Sequence, residues 1–156
     1  EDEEAVENLL DLVFSPSRKN LSSYLLRAGV SRVDTLCYVA KSSLGDVIGV
    51  VRQWPIVIGR EKNGSLLTGP VGVHPTFQGE GVGSALINLS IKKARQQGWK
   101  RAILIGDLEY YKNFGFYRQK RPRIIFPEPT DPARILLLEL ESHSFFGLSG
   151  QVIKSP

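Results

Sequence analysis

The chain has no methionine and one cysteine in 156 residues, and it has two histidines. A single thiol, Cys37, excludes an internal disulfide. It lies in Thr35-Leu36-Cys37-Tyr38-Val39-Ala40, which reads as a strand, where a thiol behaves as a small inert hydrophobe. That usage fits a reducing, cytoplasmic setting. No metal-ligand set is assigned, and His143 stands isolated. No apolar run nears the ~18 residues of a membrane span. The opening Glu1-Asp2-Glu3-Glu4 is acidic, unlike a secretory signal. With no initiator methionine, the segment is expected to be trimmed or to begin inside a longer chain. The excess of one sign of charge is also small. The net charge of +4 is compatible with an anionic ligand and does not by itself indicate nucleic acid.

What is present fits one domain, residues 1–156, with a buried core. Val6, Leu9, Leu10, Val13 and Phe14 share a helical face behind acidic residues that suit a helix N-terminus. Ser15-Pro16-Ser17 should end that helix. A second short helix is expected over 21–28, stopped by Gly29. Strands are expected over 36–40, 47–58 and 66–73. Trp54-Pro55 predicts a bulge or an edge position within the second. Lys62-Asn63-Gly64 predicts a hairpin turn. A helix follows over 85–97, capped by Gly98. Residues 101–105 are nearly all apolar, as in a strand buried on both faces. Residues 108–113 allow one or two helical turns, and Phe114-Gly115-Phe116-Tyr117 starts another strand. A proline-rich loop spans 122–132, and a final strand spans 133–140. The order implies an α+β domain: a mixed, mostly antiparallel sheet, helices on both faces, and one parallel strand–helix–strand crossover.

Between the strand at 66–73 and the helix at 85–97 stands Gln78-Gly79-Glu80-Gly81-Val82-Gly83-Ser84. Glycines let backbone N–H groups approach a ligand with no Cβ in the way. A helix start leaves N–H groups unpaired with a positive dipole end behind them. The combination binds phosphate. A Walker loop would need a lysine near Gly83, and there is none. A dinucleotide fingerprint would need glycine where Ser84 stands, and an acidic residue ~20 positions on.

Gln78, Gly81 and Gly83 instead satisfy Q/R-x-x-G-x-G/A, which resembles the coenzyme A pyrophosphate loop of the GNAT superfamily of N-acetyltransferases. Gly69-Pro70-Val71-Gly72-Val73-His74-Pro75 precedes the loop, similar to that superfamily's "L-x-V-x-P" strand end. Gly106-Asp107-Leu108-Glu109-Tyr110-Tyr111, followed by Phe114-Gly115-Phe116, resembles the subgroup signature "G-D-x-x-Y-Y-x-x-F-G-F". Gly147-Leu148-Ser149-Gly150 echoes its late Gly-x-x-Gly segment. The resemblance covers nearly the whole chain and implies a GNAT-like sheet. The first strand of that fold is not visible ahead of Glu1 and is expected to be absent.

The resemblance implies acetyl-CoA as donor and a primary amine as acceptor, on a small molecule or a peptide. N–H groups from Gly79, Glu80, Gly81, Val82, Gly83 and Ser84 would grip the pyrophosphate. Glu80 would otherwise be a loop-surface charge. Gln78 would support the turn or touch a phosphate. Main-chain groups of Val71 and Val73 would pair with pantetheine, the strands splaying beyond Val73 and Ile105. Tyr111 matches the family's general-acid tyrosine. A phenol of pKa ~10 gives its proton to a thiolate of ~8.5 only when held close, so hydrogen bonding to the departing sulfur is an alternative role. Tyr110 reads as core or cofactor contact. Lys93 and Lys112 are candidate partners of the 3′-phosphate, and Trp54 and Tyr24 are candidate acceptor-side walls. His74 suits a base by pKa but also suits a cap, as does Asp107. The basic run Arg118, Lys120, Arg121 and Arg123 reads first as a solvated face. No aromatic platform interleaves it, so nucleic acid is the lesser reading. A non-catalytic acyl-CoA sensor or interaction module is the alternative to an enzyme. Dimerisation is common among such proteins, and nothing here fixes it.

Overall fold

The computed structural model describes residues 2–15, Arg18 and residues 21–156. Helix α1 is Glu3–Phe14 and helix α2 is Ser22–Leu25. They are followed by β1 (Tyr38–Lys41), β2 (Val47–Ile58), β3 (Glu61–Val73), α3 (Val82–Gln96) and β4 (Arg101–Ile105). Then come α4 (Leu108–Tyr111), β5 (Tyr117–Arg118), β6 (Ile124–Ile125), β7 (Ile135–Glu139) and β8 (Gly150–Lys154). The strands run β5-β7-β4-β3-β2-β8-β6 across one mixed sheet, with β1 also on β2. β3 and β4 are parallel, joined through α3, as the crossover pattern implies. A second parallel pair, β6 with β8, was not expected.

Side-chain alternation divides the core. On one face Ile87, Ile91 and Ala94 of α3 pack on Leu66, Ala102, Leu104, Leu136 and Leu138. On the other, Leu67, Ile103, Ile135 and Leu137 pack with Ile56, Ile58 and Leu26. Farther along that second face, Val6, Leu9 and Leu10 of α1 cover Val50. The acidic start of α1 pairs with the sheet: Arg52, 7% exposed, bonds Glu7 at 2.8 Å and Glu3 at 3.2 Å. Arg18, also buried, bonds Glu7 at 2.8 Å and pairs with Asp11.

Several expectations need correction. The β2–β3 hairpin turns at Gly59-Arg60, where Gly59 has φ 57, and Ile58 faces Glu61. Lys62-Asn63-Gly64 lies inside β3, where the register slips between Ile56 and Ile58. There the positive φ of Gly64, 86°, serves a bulge, which exploits the same glycine freedom as a turn. Residues 34–36 form a 3₁₀ turn, so β1 begins later than expected. The strand at 135–139 is not the last, because the weakly patterned tail supplies β8. Trp54-Pro55 stays within β2. β1 covers β2 only up to Val51 and β8 only from Ile56, so Pro55 sits where that edge is bare. Ser15 follows α1 with φ 71, whereas Pro16 and Ser17 lie outside the described residues. Among the described residues no strand precedes α1.

A buried polar chain fixes α3 to the sheet. Thr68 Oγ1 donates to Gln53 Oε1 at 2.8 Å, and Gln53 Nε2 donates to Ser90 Oγ at 3.0 Å. Ser90 Oγ donates to the Leu36 carbonyl at 2.7 Å. Ser90→Ala leaves the Gln53 amide and the Leu36 carbonyl each short of a partner. It should cost about 1–3 kcal/mol, read as a lower urea midpoint with an unchanged slope. An unchanged midpoint would show that this chain does not hold α3 in place.

Candidate active site

Pairing between β3 and β4 begins at Ser65–Arg101 and ends at Leu67–Ile103. The expectation that they separate beyond Val73 and Ile105 places the split too late. The cause is a second bulge in β3. Between Val51–Val71 and Gln53–Thr68 the register gains a residue, at Gly69-Pro70, where Gly69 has φ 128 and Pro70 has no N–H to give. Beyond the bulge β3 follows β2 to Val73–Gly49, while β4 follows β7 to Ile105–Ile135. The edge of β3 at Val71 and Val73 therefore faces a gap.

The glycine turn closes one end of that gap. After Val73, a 3₁₀ turn over Pro75–Phe77 leads to Gly79 and Gly81, with φ 85 and 82. Gly81 is the N-cap of α3, and no side chain caps the helix. Among the described residues, no acceptor meets the N–H groups of Gly79, Glu80, Gly81, Val82, Gly83 or Ser84. The first turn of α3 holds no acidic residue, although exposed Glu80 precedes it. A Cβ on Gly79 or Gly81 would meet nothing within 4 Å, so the space before them is open. A Cβ on Gly83 would lie 2.9 Å from Tyr110 Oη and 3.4 Å from Val73 Cγ2. Gln78 Nε2 donates to the Val73 carbonyl at 3.1 Å, which supports the turn. These features fit a diphosphate: unpaired donors, a dipole of the right sign and no side-chain obstruction.

Two cavities meet here. A cleft of about 560 Å³ runs along Val71–Val73, the glycine turn and Phe14. A second cavity of about 270 Å³ lies beneath α1 and α2, lined by Arg18, Ser23, Tyr24, Arg27, Asp107 and Arg134 among others. Phe14, Val71, Tyr110 and Tyr111 belong to both walls. Tyr111 packs edge-on against Phe116 with centroids 5.9 Å apart. Burial pushes its phenol up to about 12, with the neighbouring Tyr110 adding to the shift. It is Tyr110, 40% exposed, whose hydroxyl reaches the start of α3, so it contacts the cleft and is not core.

The remaining candidates are placed as follows. His74 Nδ1 accepts from Thr76 N–H at 3.1 Å, capping the 3₁₀ turn, and it lines neither of the two cavities. Asp107 Oδ1 accepts from Glu109 N–H at 3.2 Å, capping α4 at the rim of the smaller cavity. Tyr24 lines that cavity. Trp54 stands behind it, its indole N–H bonded to the Gly69 carbonyl at 2.8 Å. Lys112 pairs with Glu109 at 2.8 Å, and neither it nor Lys93 lines the cleft. Lys120, Arg121 and Arg123 line a separate hollow with Phe145 and Leu148. Cys37 is held by the Val33 carbonyl at 3.3 Å, and burial raises its thiol, as suits an inert side chain. Among the described residues no group of histidine, cysteine and carboxylate side chains could hold a metal, and no helix is long and apolar enough to cross a membrane.

The sequence reading missed Arg18, Ser23, Arg27 and Arg134. The available signal was the spacing of Tyr24 and Arg27, which places both on one side of a helical turn.

The sheet is parted at its parallel pair, and a glycine-led helix spans the opening. Residues 34–118 match the family described as Acetyltransferase (GNAT) domain. The chain belongs to the GNAT acetyltransferase family and is an acyltransferase. It is 27% identical over 145 residues to N-alpha-acetyltransferase 30 of Dictyostelium discoideum, covering 86% of this chain and 75% of that protein. The fold is shared with a GNAT family N-acetyltransferase from Escherichia coli solved with CoA. The TM-score is 0.83 at 23% identity, over 98% of this chain and 84% of the other. A GNAT family acetyltransferase from Brucella melitensis solved with acetyl-CoA aligns with TM-score 0.68 and 28% identity, over 97% and 88% of the two chains.

Burial favours the neutral phenol of Tyr111, which therefore stays protonated through the neutral range and beyond. The difference between spectrophotometric titrations of the wild type and Tyr111→Phe should be flat through pH 10 and rise toward about 12. A difference ionising near 10 would show that the phenol is solvated.

Proposed function

We propose that this protein transfers the acetyl group of acetyl-CoA to a primary amine of a small molecule or peptide. The observation that carries the reading is the junction of two cavities at Val71 and Tyr111, one of them ending at unpaired helix N–H groups. When bound, acetyl-CoA supplies a thioester carbonyl. The amine nitrogen forms the N–C bond, the C–S bond breaks, and the sulfur leaves with the proton that the amine gives up.

The N–H groups of Gly79, Glu80, Gly81, Val82, Gly83 and Ser84 hold the diphosphate, and the dipole of α3 opposes its charge. Glu80 contributes its backbone only. Gln78 shapes the turn. The free edge of β3 at Val71 and Val73 pairs with the pantetheine amides as a strand would. Tyr111 keeps its proton across the working pH range. Its pKa of about 12 lies well above the ~8.5 of a thiol, so donating a hydrogen bond to the departing sulfur is favoured over full proton transfer. His74 and Asp107 are both committed to backbone N–H groups. Water takes the proton that the ammonium form loses before attack, and carries to the departing sulfur the second proton, released as the amide forms.

Release of thiol from acetyl-CoA, measured across a panel of amines, tests the activity. An absence of release with every amine, despite binding of acetyl-CoA, would instead support an acyl-CoA sensor. Tyr111→Phe should lower kcat by about 10²-fold while leaving the calorimetric affinity for CoA unchanged; unaltered kcat would remove Tyr111 from the chemistry. Gly83→Asp places a carboxylate where the diphosphate binds. It should weaken CoA binding by about 100-fold or more. The new Cβ would also stand 2.9 Å from Tyr110 Oη, so the affinity is compared at a temperature where circular dichroism shows the variant folded. Normal CoA affinity in Gly83→Asp would refute the placement.

A further inference from the structure

Arg27 is 8% exposed and lines the smaller cavity. Its Nε is buried with no hydrogen-bond partner, and among the described residues no carboxylate pairs with its guanidinium. A buried cation without a counter-ion is costly and uncommon. The acids that could serve are engaged elsewhere. Glu7 and Asp11 bond Arg18, and Glu3 and Glu7 bond Arg52. Two aromatic faces hold the guanidinium instead, with the ring centroid of Tyr24 at 4.6 Å and that of Trp54 at 5.8 Å. Burial lowers its pKa only to about 10, so it stays charged at neutral pH. The guanidinium also lies beside the β3 bulge, with Nη2 3.6 Å from where a Cβ of Gly69 would stand. Arg18, paired with Glu7 and Asp11, and exposed Arg134 add cations to the same lining, and Asp107, the acid there, caps α4.

We propose that the acceptor is a small amine carrying a carboxylate, and that Arg27 receives that carboxylate. This rests on the acetyl-transfer reading above and names the substrate class for it. A guanidinium fork matches a carboxylate in two parallel hydrogen bonds, and the incoming anion supplies the counter-charge that Arg27 lacks. The cavity, about 270 Å³, falls below the usual range for drug-sized ligands of roughly 300–1,000 Å³. It suits a molecule of amino-acid size. Arg134, at the exposed side, favours entry of the anion. With the carboxylate on Arg27, the amine of such a molecule extends toward Val71 and Tyr111, where the two cavities join.

The test compares α-amino acids, β-alanine and 4-aminobutyrate with their primary amides, which keep the amine and lose the charge. In the wild type, at least one acid should exceed its amide in kcat/KM by about 10- to 100-fold. Arg27→Gln should reduce that ratio to near unity, chiefly through KM, with CoA affinity unchanged. Arg27→Lys should restore part of it. Equal or better turnover of the amides, turnover confined to longer peptides, or a preference that survives Arg27→Gln would overturn the assignment. A binding arm separates it from the reaction itself. N-acetylglycine and N-acetyl-β-alanine should bind the wild type in calorimetry, and their amides should not. If no amine is acetylated, the reaction reading fails and this arm decides the carboxylate site alone; no binding of either acid ends it. If Arg27→Gln does not fold, the acid-to-amide ratios of the wild type and Arg27→Lys decide the assignment: a ratio near unity in the wild type, or one that Arg27→Lys leaves unchanged, overturns it.

Discussion

The parting of β3 from β4 after Leu67–Ile103 is the constraint on which the site depends. Two parallel strands that stayed paired would leave no gap and no free edge. The bulge at Gly69-Pro70 forces the separation, since it adds a residue to β3 and removes an N–H from it. Each strand then finds its next partner on the far side, β2 for one and β7 for the other. The opening is therefore built without unpaired strands on either flank. The helix that bridges it is held from below where its Ser90 meets Gln53, itself bonded by Thr68. The same interior contacts that stabilise the sheet thus set where the N–H groups of the glycine turn point.

Charge is distributed unevenly around this opening. The acidic face of α1 is consumed by two buried arginines, Arg18 and Arg52. A third, Arg27, stacks on Tyr24 and Trp54, and among the described residues no carboxylate pairs with it. At the other end stand backbone donors with no acceptor. Positive charge thus lines both cavities, from Arg27 in one and the glycine turn in the other, while Val71 and the two tyrosines that they share carry none. In the proposed reaction an uncharged thioester and a neutral amine would meet at this junction.

The bounds of β2 and β4 were legible because each is rich in apolar residues and gives way to polar residues or glycine. The glycine turn was legible because three glycines at alternate positions have few structural uses. Asn63-Gly64 misled because a bulge and a hairpin turn both ask for positive φ, and only long-range pairing tells them apart. β8 was missed because its alternation is broken by exposed Ile153 and by lysine. The strand forms because it fills the edge of β2 left bare beyond β1. Arg27 was out of reach for a similar reason. Its meaning comes from which acids are already engaged, and those lie on α1 and pair with residues far along the chain.

Phe14, the last residue of α1, belongs to the wall of the larger cleft and to that of the smaller cavity. A ring shared in this way cannot be moved by one ligand without reshaping the seat of the other. Thermodynamic reciprocity then requires that whatever the first arrival does to the affinity of the second, the second does equally to the first. The end of a short amphipathic helix thereby becomes the point through which occupancy of one half-site is felt at the other.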